Sequence, residues 1–277
     1  MSGQLAANAD AFRAMHKAPP ILVLPNAWDA VSARLFVKAG AKAIATTSAG
    51  VAAALGYPDG QKIPRGLMLE AIARIARAVD VPVSADIEAG HATTVLELSE
   101  TIRSMMDAGA IGCNLEDSTG KAPKILFEIE EQIARIRTAR DAGDRAGVPV
   151  VINARTDVYL AGVGEPGNRF AETVRRANAY REAGADCLFV PGVADLPTLT
   201  SLVREIKGPI NVLVGPGLAP AGELERIGIA RLSVGSAIMR ATLAMARDAA
   251  RTLLQEGTYA AFTDRTIPHA EVNELMS

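Results

Sequence analysis

The most regular feature of the chain is a set of eight short apolar runs, each bounded by glycine, proline or a polar cluster. Most of their residues are aliphatic or β-branched, and apolar residues follow one another without alternation. Such runs are typical of strands buried on both faces, as the strands of a parallel sheet are. The predicted strands cover residues 21–24, 43–47, 83–85, 112–115, 150–153, 187–190, 210–214 and 231–234.

The segments between these runs are long enough for helices, and two of them have a clear amphipathic pattern. In 67–78 and 125–142 apolar residues recur three and four positions apart, which predicts surface helices. Four helical segments close on a glycine just before a strand, where a helix C-cap needs a left-handed backbone. These glycines are Gly40, Gly109, Gly184 and Gly228.

The strand–helix order, repeated eight times, restricts the fold. Alternating strands and helices with parallel pairing give either an open doubly wound sheet or a closed barrel. Eight units within 277 residues favour an α/β fold of the (β/α)8 TIM type, with 1–277 as a single domain. The last part, 237–277, is predicted to be a long helix over 237–257 followed by a tail.

The composition argues against two classes of binding partner, nucleic acids and membranes. The formal net charge is −2, so no basic surface of the kind that binds nucleic acid is expected. No apolar run approaches the ~18 residues of a membrane span, and residues 1–17 lack the apolar core of a signal peptide. We therefore expect a cytoplasmic protein with a small-molecule substrate, without nucleic acid or membrane as partner. Cys113 and Cys187 lie inside apolar runs and are expected to be buried thiols.

Acidic residues cluster where the predicted strands end. Asp86 and Glu88 follow the third strand, Glu116 the fourth, and Arg155 the fifth. The carboxyl ends of barrel strands carry the chemistry, so these side chains are expected to meet. Crowded carboxylates stay ionised when a cation joins them, and acids without histidine or cysteine suit a hard ion such as Mg²⁺. On a strand, Asp86 and Glu88 would point the same way, and Arg155 could hold a substrate carboxylate by a two-pronged contact.

Simpler roles compete with these assignments. An acid that follows a strand is often a helix N-cap, which is our interpretation of Asp29 and Asp157. Asp59 stands in a Pro-Asp-Gly sequence, which also forms turns without any ligand. The alternative to a metal site is thus an unrelated barrel in which the acids only cap helices.

Five short segments carry a resemblance to a known family. They are Thr47-Ser48-Ala49-Gly50-Val51, Gly56-Tyr57-Pro58-Asp59, Ser84-Ala85-Asp86-Ile87-Glu88-Ala89-Gly90, Asn114-Leu115-Glu116-Asp117 and Asn153-Ala154-Arg155-Thr156-Asp157. Each segment alone is weakly specific, whereas their order and spacing together are specific. By these segments the chain resembles the isocitrate lyase / phosphoenolpyruvate mutase superfamily over nearly its whole length.

The resemblance implies a (β/α)8 barrel that holds Mg²⁺, with Mn²⁺ as the alternative ion. Members of the family bind a 2-oxo acid on the metal and make or break a bond next to an enolate. The aspartate that coordinates the ion directly is matched by Asp86. The acids that reach the ion through water are matched by Asp59, Glu88 and Glu116.

The resemblance also implies which residues bind the substrate. The cradle for the substrate carboxylate is matched by Thr47, Ser48 and Ala49, and the arginine that grips the substrate by Arg155. We expect Thr47, Glu116 and Arg155 to be the catalytic residues.

The family's quaternary structure gives the last helix a further role. Its barrels exchange this helix between subunits, in dimers that pair into tetramers. The predicted helix 237–257 is long enough for such an exchange. We therefore expect a homo-oligomer in which this helix is swapped.

The chain departs from the family in the loop after Glu116 and Asp117. Isocitrate and methylisocitrate lyases carry a Lys-Lys-Cys-Gly-His segment there, and its cysteine acts as the proton donor. This chain has no cysteine or histidine in 118–124, and only Lys121 or Lys124 could stand in for the loop lysine of the phosphonomutases.

Three functions stay open on these residues. The leading one is a lyase that cleaves a C–C bond of a small 2-oxo acid or related dicarboxylate through an enolate, as an oxaloacetate decarboxylase or a methylisocitrate lyase does. The second is a P–C bond enzyme, either a phosphoenolpyruvate phosphonomutase or a phosphonopyruvate hydrolase. The third is a barrel that binds a 2-oxo acid without catalysis. Product formation separates the first two, and binding without turnover would indicate the third.

Overall fold

The core of the molecule is one sheet of parallel strands, seen in a computed structural model that describes residues 2–120, 125–264 and 266–277. Each of the eight predicted strands overlaps an observed one, with ends that differ by one or two residues. The strands are β1 Leu22–Leu24, β2 Asn26–Ala27, β3 Ile44–Thr46, β4 Val83–Asp86, β5 Gly112–Glu116, β6 Val151–Arg155, β7 Cys187–Phe189, β8 Ile210–Leu213 and β9 Arg231–Ser233.

The sheet closes on itself through β1 and β2, which are two halves of one strand. The break between them is Pro25, which has no N–H to donate to a ladder. β1 pairs with β9, where Leu22 lies opposite Arg231, and β2 pairs with β3, where Asn26 lies opposite Ala45. All other strands pair with their neighbours in chain order. The predicted (β/α)8 TIM-type barrel is therefore confirmed.

Helices surround the barrel. The four glycines that were predicted to end helices adopt positive φ angles from +94° to +111°, as expected there. The helices are α1 Ser2–Ala14, α2 Ala30–Lys38, α3 Ser48–Ala54, α4 Arg65–Arg77, α5 Val95–Asp107, α6 Ile129–Arg145, α7 Arg169–Glu182, α8 Leu196–Glu205, α9 Ala221–Arg226, α10 Ala237–Arg251, α11 Ala260–Thr263 and α12 His269–Met276.

The start of α6 differs from the prediction. The apolar pattern placed the helix over 125–142, whereas it runs from Ile129 to Arg145. Leu126 instead forms an isolated antiparallel bridge with Ser118, and the Phe127 N–H donates to the Asp117 carbonyl. Tertiary hydrogen bonds thus hold this stretch in an extended form in spite of its helical spacing.

The first helix, α1, was not predicted, and it covers the amino end of the barrel. Phe12 is fully buried, and its ring centroid lies 5.9 Å from the guanidinium carbon of Arg231. Arg13 anchors the helix from outside, with Nε 2.8 Å from Asp186 Oδ1 and Nη2 2.8 Å from the Pro149 carbonyl. Because this end is plugged, a ligand can enter only from the carboxyl ends of the strands.

The C-terminal region is partly docked on its own barrel. In α12, Glu271 pairs with Lys38 of α2 at 3.0 Å, and the Leu275 carbonyl accepts from Arg34 Nη1 at 2.6 Å. By contrast, α10 and the π-helical turn after it, Thr252–Glu256, leave several large apolar side chains exposed, namely Leu243, Met245, Leu253 and Leu254. Exchange of this helix between subunits stays a prediction. None of the helices in the described residues combines the length and apolarity needed to cross a bilayer.

Candidate active site

A pocket of about 190 Å³ opens at the carboxyl end of the barrel. Its size suits a small acid, since pockets for drug-sized ligands are larger, ~300–1,000 Å³. Two of the predicted site residues, Glu88 and Glu116, are buried and do not line the pocket. The other predicted site residues do line it, and they are Thr47, Ser48, Ala49, Asp59, Asp86 and Arg155.

Asp86 is the last residue of β4, and its carboxylate is held from both sides. Oδ2 accepts from the Ser48 N–H at 2.9 Å and from the Ser48 hydroxyl at 2.7 Å. Oδ1 accepts from Asn114 Nδ2 at 2.8 Å, and the backbone N–H of Asp86 donates to Thr46 Oγ1. A carboxylate oxygen has two lone pairs, so Oδ1 keeps the capacity to bind a further partner, whereas Ser48 takes both lone pairs of Oδ2.

The predicted substrate cradle, Thr47 to Ala49, is present, but its donors are only partly open. The Thr47 N–H donates to the Ala27 carbonyl, and both donors of Ser48 go to Asp86. Ala49 lies in the first turn of α3, where N–H groups have no partner within the helix. The cradle therefore positions Asp86 as well as facing the pocket.

Glu88 lies beyond the end of β4 with a φ of +52°, so the expectation that Asp86 and Glu88 share one face of a strand is wrong. Its Oε2 accepts from the Gln61 N–H at 2.7 Å. Oε1 has no hydrogen-bond partner among the described residues and lies 3.7 Å from His91 Nε2. Burial raises the pKa of Glu88 to about 8, and the charges of Asp86 and Asp59 add to the rise.

This raised pKa predicts how stability depends on pH in the metal-free protein. Between pH 4.5, the ordinary value, and about pH 8 the folded state keeps a proton on Glu88 that the unfolded chain releases. The free energy of unfolding should therefore fall as pH rises through this window. Urea unfolding in EDTA measures this dependence. The free energy of unfolding should fall less with pH in Glu88→Gln than in the wild type. In the control Glu182→Gln, on the exposed side of α7, it should fall as in the wild type. Equal pH dependence in all three proteins would contradict the prediction.

Arg155 ends β6 and contacts two carboxylates. Its Nε and Nη2 donate to the two oxygens of Asp157 at 2.6 and 2.9 Å, and Nη1 lies 2.9 Å from Glu116 Oε2. Burial lowers the pKa of Arg155, but the charges of Glu116 and Asp157 raise it well above its usual range. Burial also raises the pKa of the Glu116 carboxyl, and Arg155 opposes that rise. One edge of the guanidinium is thus taken by Asp157, and only the remaining edge can meet a substrate.

The prediction that Asp157 caps a helix is wrong, because its carboxylate pairs with Arg155. The same prediction for Asp29 is confirmed, since Asp29 accepts from the Ser32 N–H at 2.7 Å at the start of α2. Asp59 lies in an exposed turn and also lines the pocket, so its place in a turn is compatible with the predicted site role.

A fully buried carboxylate, that of Asp117, holds the Arg155–Asp157 pair in place. Oδ1 of Asp117 accepts from the Asp157 N–H at 2.9 Å. Oδ2 accepts from the Tyr180 hydroxyl at 2.8 Å and lies 3.2 Å from Arg176 Nη1. The pair is therefore linked to α7. A substitution of Asp117 would shift the backbone of Asp157 and, with it, the Arg155 side chain at the pocket.

Sequence reasoning missed a layer of polar side chains beneath the predicted acids. Asn153 Nδ2 donates to Asn114 Oδ1 at 3.0 Å, and Asn114 in turn donates to Asp86. The sequence does contain a signal for this layer. Polar residues lie two positions before a predicted site residue, and so share its face of the strand, at Ser84, Asn114 and Asn153. Polar residues at alternate positions of an apolar run mark the inside of the barrel.

Arg231 is a second missed residue and the second cation of the pocket lining. It is 2 % exposed, and its Nε donates to Ser233 Oγ at 3.1 Å while Nη1 lies 3.5 Å from His16 Nε2. Burial lowers the pKa of Arg231 to about 10, which leaves it charged at neutral pH. No carboxylate of the described chain lies within 4 Å of it. The floor of the pocket is therefore positively charged.

The acids at the pocket bear on whether a hard cation could be held there, which would have to be mainly through water. Within the described residues no three His, Cys, Asp or Glu side chains converge as direct ligands. One fixed carboxylate, Asp86, faces the pocket, and Asp59 stands at its rim. The unpartnered Glu88 Oε1 and the raised pKa of this residue show a surplus of acid that a divalent ion would offset. Lys121 and Lys124, the candidate loop lysines, lie outside the described residues.

Residues 12–254 match the family model of phosphoenolpyruvate phosphomutase. The chain belongs to this family. A 2-methylisocitrate lyase from Escherichia coli (strain K12) is 30% identical over 278 residues, which cover 96% of this chain and 91% of the enzyme. The family contains both mutases and lyases, so membership makes an enzyme of this broad class the expected activity and leaves the bond that reacts undecided.

Solved structures of family members extend the match to the whole barrel. A protein from Burkholderia cenocepacia J2315, whose assignment as a lyase or mutase is provisional, superposes with a TM-score of 0.91 at 38% identity, covering 98% of this chain and 96% of that one. A 2,3-dimethylmalate lyase superposes with a TM-score of 0.85 at 25% identity, covering 98% and 95%. The resemblance read from the five motifs is thus confirmed at the level of the superfamily.

Proposed function

We propose that this protein is a Mg²⁺-dependent lyase that acts on a small 2-oxo acid or related carboxylate through an enolate. The proposed reaction types are oxaloacetate decarboxylation and methylisocitrate cleavage. The observation that carries the proposal is the Asp86 carboxylate, which Ser48 and Asn114 fix at the pocket wall among further acids. The likeness to a 2-methylisocitrate lyase supports the same reaction class.

The ion would be held by acids at the ends of β4 and β5 and in the loops after α3 and β4. Asp86 would bind Mg²⁺, or Mn²⁺ in its place, and Asp59, Glu88 and Glu116 would order the water around it. A bound divalent ion supplies Lewis acidity that stabilises the negative charge of an enolate. Asp86 is kept in one orientation by three hydrogen bonds to its side chain, which makes the site geometry independent of the ligand.

The substrate would be bound by cations and by the cradle. Arg155 would meet a carboxylate with the guanidinium edge that Asp157 leaves open, on which Nη1 also pairs with Glu116, while Arg231 adds positive charge from the pocket floor. Thr47, Ser48 and Ala49 orient the substrate from the other side. In this proposal Thr47, Glu116 and Arg155 are the catalytic residues, with Arg155 and Glu116 acting as a coupled pair 2.9 Å apart.

The alternative is a P–C bond enzyme, a phosphonomutase or phosphonopyruvate hydrolase, which the description of the matching family model favours. A barrel that binds a 2-oxo acid without turnover is the third candidate. In all three cases we propose a homo-oligomer, dimer or tetramer, because α10 leaves an apolar face exposed in the single chain.

Calorimetric titration with oxalate, a mimic of the enolate, tests the proposal. Oxalate should bind in the presence of Mg²⁺ and fail to bind in EDTA, because the acids repel the anion unless a divalent ion joins them. Such a result would justify turnover assays with oxaloacetate, methylisocitrate and phosphonopyruvate. Absence of binding under both conditions would count against a metal–enolate site.

A further inference from the structure

We infer that Arg231 and Ser236 form a second anion site in this pocket, separate from Arg155, which receives a carboxylate at the far end of the substrate. The inference rests on the proposed function and adds two specificity-determining residues to it. The metal side of the pocket would hold the 2-oxo acid group, and the second anion site would hold the other end of a short carbon chain.

Arg231 carries a buried positive charge whose hydrogen-bond partners are all neutral. Its Nε donates to Ser233 Oγ, and its Nη1 faces Nε2 of His16. Since His16 Nδ1 donates to the Phe12 carbonyl, Nε2 is the acceptor, and burial lowers the pKa of His16 to about 4. Nη2 of Arg231 has no hydrogen-bond partner among the described residues. Because an unpaired buried charge is unfavourable, this nitrogen is available to an anion in the pocket that Arg231 lines.

The start of α10 adds further donors to the same part of the pocket. Ser233, whose hydroxyl binds Arg231, is followed by Gly235 and Ser236, and all three line the pocket. Ser236 directly precedes α10, and its hydroxyl does not cap the helix. The first N–H groups of a helix have no partner within it, and the helix dipole favours an anion at this end. A carboxylate bound to Arg231 can therefore also accept from the Ser236 hydroxyl.

Two apolar side chains separate the second anion site from Arg155. Strands β7 and β8 lie between β6 and β9 in the barrel, and they contribute Phe189 and Leu213 to the pocket lining. Phe189 is paired in register with Arg155, and Leu213 with Ser233. A ligand with a carboxylate at each end and methylene groups between them would match this order of cation, apolar surface and cation.

A bound divalent ion would increase the need for an anion at Arg231. Burial lowers the pKa of Arg231 to about 10, and the charge of Asp86 acts in the opposite direction. In the proposed function Asp86 binds the ion, so its charge would then offset less of the Arg231 charge. The second anion site is therefore expected to bind a carboxylate most strongly when Mg²⁺ is present.

Two acids of equal chain length test the inference. 2-Oxoglutarate and 2-oxopentanoate present the same 2-oxo acid group to the ion and differ at the far end, where one has a carboxylate and the other a methyl group. In calorimetric titrations with Mg²⁺, 2-oxoglutarate should bind about tenfold more tightly or more, because its second carboxylate gains charge-assisted hydrogen bonds.

Three variants show whether this preference comes from the second anion site. Arg231→Met removes the charge, and the two acids should then bind within about twofold of each other. Ser236→Ala removes one neutral donor at a position that does not cap α10, and should reduce the preference about threefold. The control is Arg226→Met, on the exposed last turn of α9 and outside the pocket, which should keep the wild-type preference. The ratio of the two affinities is the readout, because a general loosening of the pocket weakens both acids alike.

The outcomes separate this inference from the proposed function. If oxalate binds with Mg²⁺ but the wild type binds both acids equally, the second anion site is overturned and the proposed function stands. A preference for 2-oxoglutarate that persists in Arg231→Met also overturns it, and would make Arg231 a structural residue. If Arg231→Met does not fold, an unchanged preference in Ser236→Ala overturns the site. If oxalate does not bind with Mg²⁺, the proposed function and the inference fall together.

Discussion

Replacing Asp86 with asparagine is expected to abolish Mg²⁺-dependent oxalate binding, with a loss of affinity of about 100-fold or more. Asp86 is the one acid that both lines the pocket and is fixed on each oxygen, by Ser48 and Asn114. Asparagine keeps the shape but removes the negative charge. Its amide group would also turn donors toward Ser48 or Asn114, which are themselves donors.

The measurement is calorimetric titration of oxalate at saturating Mg²⁺, with thermal unfolding as a check that the fold persists. Asp80→Asn is the matched control, because Asp80 is exposed in the loop that enters the same strand at the opposite end of the barrel. That variant should bind oxalate as the wild type does. Tight Mg²⁺-dependent binding by the Asp86 variant would remove this residue from the proposed site.

Replacing Arg155 with alanine is expected to reduce both ligand affinity and stability, the latter by ~3–5 kcal/mol, as when one partner of a buried ion pair is removed. The reason is that Glu116 and Asp157 are both buried and would lose their cation. Burial raises the pKa of Glu116 and Arg155 opposes that rise, so without Arg155 the Glu116 carboxyl keeps its proton more readily. The deficit in the free energy of unfolding should therefore be smaller at pH 5 than at pH 8.

Arg155→Lys is the informative companion, because lysine keeps the charge but cannot form the two-pronged contact with Asp157. Its stability should lie nearer to that of the wild type, while oxalate binding should still weaken. Urea unfolding at the two pH values and oxalate titration at pH 8 measure the two effects separately. Unchanged oxalate affinity in both the alanine and the lysine variant would show that Arg155 is structural.

The predictions of the strands and of the glycines that end helices were reliable, because both features have local physical causes. An unbroken aliphatic run is fully buried only when both faces of the strand are covered. A glycine before a strand permits the left-handed backbone that ends a helix. Both features appear at the predicted places. Where the local signal conflicted with tertiary hydrogen bonds, as at Leu126 before α6, the prediction was wrong.

The candidate site was foreseen less completely than the fold. The motifs named six of the residues that line the pocket, but the capping role of Asp157 and the shared strand face of Glu88 and Asp86 were wrong. A carboxylate two residues beyond a strand can cap a helix or turn back to an arginine, and the sequence is the same in both cases. Only the path of the chain after the strand distinguishes them.

What the sequence by itself determined is the barrel, its polar carboxyl end and the family. The first two follow from patterns within the repeated strand–helix units, and the family follows from the order and spacing of the five motifs. The tertiary structure decided which side chains meet. It brought Arg231 of the last strand under the pocket, tied Asp86 to Ser48 of α3 and Asn114 of β5, and placed the apolar lining residues Leu160, Phe189 and Leu213 on one side. These contacts join residues far apart in the chain. Arg231 shares the pocket with residues of β3 and β4 because closing the barrel brings the first and last strands together.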